Sequence, residues 1–116
     1  MPLNHVALTV ADRERSAAFY AEHFGLGNRV HDDEHLLILG SDDGTLLALT
    51  EGDSPAAGLP RTNHFGFQVA NADAVREARE RMRRAGVPET EWQDGGWMTR
   101  LQVADPDGYR VELFAY

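Results

Sequence analysis

Hydrophobic and polar positions alternate from the start of the chain. Over 3–10, Val6, Leu8 and Val10 fall on one side and His5, Ala7 and Thr9 on the other. That period of two marks a strand with one buried face. The period then becomes helical. Asp12 supplies an N-cap, Ala17, Tyr20, Ala21 and Phe24 recur at helical spacing over about 13–24, and Gly25 stands where a left-handed C-cap belongs. Three shorter strands are predicted near 27–31, 35–40 and 45–50, parted by Asp32-Asp33 and Asp42-Asp43-Gly44. The same succession then begins again. A strand is predicted over 63–69, with Phe65, Phe67 and Val69 facing a helix over about 72–85. That helix sets Val75, Ala78, Met82 and Ala85 on one side, and Gly86 and Pro88 end it. Strands follow near 89–93, 97–103 and 109–115, the last two joined by the turn Asp105-Pro106-Asp107-Gly108.

The recurrence is visible residue by residue. Asn4-His5-Val6-Ala7-Leu8-Thr9-Val10 aligns with Asn63-His64-Phe65-Gly66-Phe67-Gln68-Val69 at a shift of 59, and Gly44-Thr45-Leu46-Leu47-Ala48-Leu49 with Gly108-Tyr109-Arg110-Val111-Glu112-Leu113 at a shift of 64. A period of half the chain indicates two copies of one supersecondary unit rather than a solenoid. The fold class is therefore α+β, two βαβββ modules: module one about 1–52, a linker about 53–62 and module two about 63–116, one domain over 1–116.

Composition narrows the chemistry. The 116 residues contain no cysteine, so disulfides, thiol nucleophiles and thiolate metal sites are excluded. All 11 basic residues are arginine, which removes any Schiff-base lysine. A net charge of -8 opposes a duplex-binding surface, so no nucleic-acid partner is expected. No apolar run reaches the roughly 20 residues of a membrane helix, and the N-terminal residues lack the pattern of a signal peptide. A cytoplasmic protein with no membrane partner is expected.

Alternation turns three chemistry-bearing side chains away from the helices: His5, His64 and Glu112. Taken alone, each reads as a hydrogen-bonded structural residue. The repeat strengthens the metal reading, because His5 and His64 fill the same slot of two copies. Two imidazoles and a carboxylate on a concave face suit Fe, Mn, Co, Ni or Zn and leave coordination positions open. Such an ion disfavours imidazole protonation, so its binding is expected to weaken as the pH falls through the imidazole range. Met98, Arg100 and Gln102 form the more polar face of 97–103 and are placed beside the ion, with Trp97, Thr99, Leu101 and Val103 opposite. Arg100 is suited either to clamping an anionic or oxygen-rich substrate or to pairing with an acidic residue. Gln68, Thr9 and Arg110 occupy weaker inward slots, and Trp92 is suited to stacking on an aromatic ligand or to filling an edge. His31-Asp32-Asp33-Glu34-His35 reads as a solvated turn, and the run Arg76 to Arg84 as a solvated helix face paired locally with Glu77 and Glu80.

With these residues in view, the whole chain resembles the vicinal oxygen chelate superfamily of glyoxalase-type lyases, extradiol dioxygenases, fosfomycin-inactivating transferases and bleomycin-resistance binding proteins. The resemblance rests on the Asn-His opening of each half, on the Asp12 to Gly25 segment, and on Asp105-Pro106-Asp107-Gly108-Tyr109-Arg110-Val111-Glu112-Leu113. It implies paired modules forming a curved mixed-sheet cup around a divalent metal, with His5, His64 and Glu112 as its ligands. It also implies a homodimer, often with sites built by both subunits. Ala48 is the echo of Glu112 and fills the slot where glyoxalase-type lyases carry a proton-transferring glutamate. Lyase chemistry of that type is therefore not expected. Nor does alternation present the inward His or Tyr of extradiol enzymes, since Tyr109 faces the helix side. The function expected is a small divalent-metal-dependent enzyme, of lyase, isomerase, transferase or dioxygenase type, acting on a small oxygen-chelating metabolite or natural product. The alternative is a resistance protein that binds a small molecule or antibiotic without turnover.

Overall fold

The computed structural model describes all residues, Met1–Tyr116, and divides into two compact units, Met1–Pro55 and Ala56–Tyr116. The boundary falls inside the predicted linker, which carries one 3-10 turn at Ala56–Gly58.

The first unit runs β1 (His5–Val10), α1 (Arg13–Phe24), β2 (Asn28–Asp32), β3 (Leu37–Gly40) and β4 (Leu46–Glu51). Its mixed sheet has the order β1-β4-β3-β2, with β1 parallel to β4 and the other pairs antiparallel. The predicted caps are in place. Asp12 Oδ1 accepts from the Glu14 and Arg15 amides at 3.1 Å, and Gly25 adopts φ 71°. The buried stripe of α1 is Ser16, Ala17, Tyr20 and Phe24. Ala21, expected on that stripe, is exposed. The stripe is centred on the fully buried Tyr20 ring, and Ser16 takes the inward place one turn before it. His31 to His35 is a surface turn, as expected: Asp33 Oδ1 accepts from the His35 and Leu36 amides at 2.8 Å, and Asp33 Oδ2 lies 2.8 Å from His31 Nε2.

The second unit repeats the plan with β5 (Phe65–Gln68), α2 (Ala72–Arg84), β6 (Glu89–Gln93), β7 (Thr99–Ala104) and β8 (Arg110–Ala115), in the sheet order β5-β8-β7-β6. Helix α2 lays Val75, Ala78 and Met82 on a sheet face built from Leu101, Val103, Val111 and Leu113, all buried. Each fully buried aliphatic side chain contributes about 1.5–3 kcal/mol relative to an exposed one. Ala85 is the exposed cap residue rather than part of the stripe. Phe65, Phe67 and Val69 are half-buried, alternating with the exposed Gly66 and Gln68. The arginines of α2 find partners different from those expected. Arg76 binds Asp73 and Asp94, and Arg79 binds Glu89 at 2.7 Å. Glu77 and Glu80 are not in these bridges, because the loop after β6 and β6 itself bring carboxylates closer.

Registry confirms both repeat shifts independently. On β1 and β4, Ala7 stands opposite Ala48. On β5 and β8, Gly66 stands opposite Glu112. Each residue of the second pair is the shifted counterpart of one in the first. No helix is long and apolar enough to cross a membrane.

Candidate functional site

The face of the second sheet turned away from α2 carries a polar basin of about 330 Å³, lined by Arg61, Thr62, His64, Glu91, Met98, Arg100, Gln102 and Glu112. Cross-strand registry assembles it. Glu112 on β8 pairs with Gln102 on β7, and Gln102 with Glu91 on β6. Met98 and Arg100 precede Gln102 at alternate positions, so the polar face expected of this segment is the basin face.

Glu112 is the buried centre of the basin, 7% exposed. Its Oε1 accepts from Arg100 Nη1 at 3.1 Å, and its Oε2 lies 3.3 Å from His64 Nε2. His64 immediately precedes β5. The turn closed by Asn63 N–H on the Pro60 carbonyl (3.0 Å) sets the Thr62 carbonyl 2.8 Å from His64 Nδ1. A carbonyl only accepts, so Nδ1 carries a proton and donates it. In the neutral form of such a ring, Nε2 holds the lone pair, and here it faces a carboxylate oxygen. Two acceptors at that distance repel unless a cation, a proton or a metal ion, stands between them. Donors bound to one ion at about 2.0–2.2 Å each stand roughly 3 Å apart, so the spacing of this pair fits a shared ion.

His5 opens β1 in the first unit. Its Nδ1 lies 2.9 Å from Asn4 Oδ1, which leaves Nε2 as the outward nitrogen. Both histidines are thus tethered through Nδ1, one by a side-chain amide and one by a backbone carbonyl. Such tethers fix the tautomer that ligates through Nε2. The structure brings His64 and Glu112 together, and His5 stands on the other unit. No group of three or more histidine, aspartate and glutamate side chains is gathered in ligand geometry.

Arg100 adopts the second of the two roles foreseen for it. Its Nη1 binds Glu91 Oε2 at 2.5 Å as well as Glu112 Oε1. Arg61 Nη2 extends the row, 3.1 Å from Glu91 Oε1. Arg61, Glu91, Arg100 and Glu112 alternate in sign, ending at His64. The hydrogen bond from Arg100 holds the Glu91 carboxyl below its ordinary range, and Glu91 in turn raises the Arg100 guanidinium. Gln102 is buried, with the Thr90 hydroxyl donating to its Oε1 at 2.9 Å.

Other expectations need correcting. Trp92 pairs across strands with the buried Leu101, and the Arg79 guanidinium of α2 sits 4.1 Å over its ring. It belongs to the helix face and not to the basin, where its neighbour Glu91 points instead. Gln68 shares the basin's side of the sheet but is exposed and outside the lining. Arg110 Nη1 is engaged by the Pro60 carbonyl at 3.3 Å. Trp97, expected on the helix face, precedes β7 and is 70% exposed. Arg61 and Glu91 were not foreseen, since neither a linker nor a bulged edge strand displays an alternation to read.

Two mixed βαβββ sheets, with an imidazole and a carboxylate meeting on the open face of the second, define an α+β protein of paired modules. The model of the Glyoxalase/Bleomycin resistance protein/Dioxygenase superfamily matches residues 2–113, and the chain belongs to that superfamily. A probable trivalent organoarsenical cleaving enzyme of Bacillus subtilis is 28% identical over 114 residues, 95% of this chain and 77% of the relative. Among solved structures, the fosfomycin resistance protein FosX of Listeria monocytogenes superposes with a TM-score of 0.82 at 23% identity, covering 100% of this chain and 93% of that one. The same Listeria protein complexed with Mn(II) and sulfate gives a TM-score of 0.82 over 98% and 89%. A possible glyoxalase from Bacillus cereus gives 0.79 at 25% identity over 97% of both chains.

Proposed function

We propose that the protein is a small divalent-metal-dependent enzyme acting on a small oxygen-bearing, chelating substrate, with His5, His64 and Glu112 as the ligands of Fe, Mn, Co, Ni or Zn. The observation that carries this reading is the 3.3 Å approach of His64 Nε2 to Glu112 Oε2, with Nδ1 committed to the Thr62 carbonyl. That contact is closed by a proton or a metal ion, and its spacing suits two donors sharing one metal ion. His5 is assigned as the third ligand because it fills the same slot of the repeat with the same Nδ1 tether. The Mn(II) carried by the Listeria relative supports the choice of a divalent ion.

A bound ion supplies Lewis-acid polarisation of substrate oxygens at its open positions. The chain's own residues supply the rest. Arg100 restrains Glu112 through Oε1, leaving Oε2 as the ligating oxygen. Glu91 holds Arg100 from behind, with Arg61 balancing its charge. Counting His64 as neutral, Arg61 and Arg100 cancel Glu91 and Glu112, so a divalent ion makes the basin net positive and suited to an anionic chelator. Gln102 and Met98 complete its floor and rim.

The test is elemental analysis of protein purified without chelator, followed by incubation with a panel of small oxygen chelators and mass detection. Bound divalent metal with catalytic loss of one compound supports the reading. Stoichiometric complexation without product makes the protein a binder, and unchanged metal content in a folded Glu112→Ala variant ends the metal assignment.

A further inference from the structure

A second feature lies on the basin's side of the same sheet. Phe114 pairs directly with Arg100 across β7 and β8, and on β8 it follows Glu112 by two residues. It therefore stands one pleat, about 7 Å, beyond the carboxylate on the same face. Tyr116 continues that side another pleat on, its ring 5.6 Å from Phe114 at 74°. Trp97, adjacent to the basin residue Met98, stacks on Tyr116 at 6.1 Å and 29°. The three rings thus form one cluster outside the basin lining, joined to it by the Trp97–Met98 chain step and the Phe114–Arg100 pair.

This shelf is braced. Gly95 and Gly96 take φ 90° and 77°, a region that disfavours side chains, to turn the chain ahead of Trp97. The Gln93 amide donates to the Gly95 and Met98 carbonyls at 3.3 and 3.1 Å, and Gly95 N–H donates to the Thr99 hydroxyl at 3.2 Å. Despite that support, Trp97 and Tyr116 remain 70% and 76% exposed. Rings held in place yet uncovered mark a binding surface.

Size decides what it fits. An aromatic side chain buries at most about 250 Å². Trp97 and Tyr116 are 70% and 76% exposed and Phe114 is half-buried, so even at that maximum the three rings together offer well short of the roughly 800 Å² per partner of a stable protein interface. They match the face of one small planar group. We propose that Trp97, Phe114 and Tyr116 form a ring-binding subsite for the aryl group of a small molecule whose polar, oxygen-bearing end occupies the Arg100 basin. This rests on the reading of that basin as the ligand site.

The experiment compares benzohydroxamate with acetohydroxamate, two vicinal-oxygen chelators that differ by the ring. Both are titrated into Mn(II)-loaded and metal-free wild type, Trp97→Ala and Tyr116→Ala, with calorimetric Mn(II) binding measured separately. The phenyl compound is expected to bind wild type about 3- to 10-fold more tightly, the worth of one or two ring contacts. Each variant should abolish that ratio and leave acetohydroxamate and Mn(II) affinity unchanged. Equal affinities in wild type, no binding of the phenyl compound, or a ratio that survives both substitutions overturns the subsite. So does a wild-type dimer that Trp97→Ala dissociates, since a second copy then covers the shelf. A ring preference that persists where Mn(II) fails to bind sinks the metal reading alone.

Discussion

Gly66 lies directly across the parallel pair from Glu112, and a Cβ there would stand 3.1 Å from Glu112 Cβ, 3.2 Å from its carbonyl oxygen and 3.5 Å from Oε2. The counterpart pair in module one is Ala7 and Ala48. Where the partner strand carries a carboxylate, the facing residue has no side chain; where it carries a methyl, the facing residue is alanine. Gly66→Ala is therefore expected to displace Glu112 and weaken divalent-metal binding about 10-fold, the scale of a disturbed ligand orientation. The melting temperature should change little, since alanine suits a strand better than glycine. Calorimetric titration of Mn(II) checks this, with Ala7→Gly as the control that leaves metal affinity alone.

Asp105 is buried at 4% exposure, and its Oδ1 accepts from the amides of Asp107, Gly108 and Tyr109, each at 2.9 Å. It closes the turn that aims β8, and hence Glu112, at the basin. Asp105→Ala leaves three amides without that acceptor and should cost about 2–3 kcal/mol in urea unfolding. Asp105→Asn keeps an oxygen and should cost less. Equal losses in both variants would show that charge rather than hydrogen bonding holds the turn.

The Asp33 carboxyl is lowered from 3.8 to about 2, first by the His31 imidazole and then by the His35 and Leu36 amides. A carboxyl lowered in the folded state contributes stability above its unfolded value and loses that contribution as the pH falls through the folded value. The Asp33 contribution to the β2–β3 turn should thus be full above pH 3.8 and fall away as the pH drops from there toward about 2. Carbon-detected NMR titration should place the Asp33 midpoint there, and His31→Ala should move it upward.

Glu91 offers a second titration, in the basin itself. Its carboxyl is held low mainly by the Arg100 hydrogen bond. In Arg100→Met the Glu91 midpoint should rise toward the ordinary carboxylate range, so the charge it carries is lost at higher pH than in wild type. An unmoved midpoint would mean that the Arg100 hydrogen bond does not govern Glu91.

Much of the architecture was written in local periodicity. The two strand-helix openings, the Asp12 and Gly25 caps and the two repeat shifts all reappear, the shifts as the cross-strand pairs Ala7–Ala48 and Gly66–Glu112. So does the grouping of Met98, Arg100 and Gln102 with His64 and Glu112. What escaped was set by long-range partners. Trp92 is drawn to the helix face by Leu101 and Arg79, while a register shift between Glu89 and Glu91 breaks the alternation that would have exposed Glu91's role. Arg61 lies in a segment with no period at all. Helix phase failed at Ala21, where a methyl is too small to define the buried stripe against Tyr20.

The most direct measurement is calorimetric titration of Mn(II) into metal-depleted wild type, His5→Ala, His64→Ala and Glu112→Ala. Loss of a ligand exceeds the 10- to 100-fold cost of disturbing a supporting group. One ion per chain is expected in wild type, with a loss of at least about 100-fold in every variant. Wild-type affinity retained by any one of the three, or no binding by the unaltered chain, contradicts that expectation.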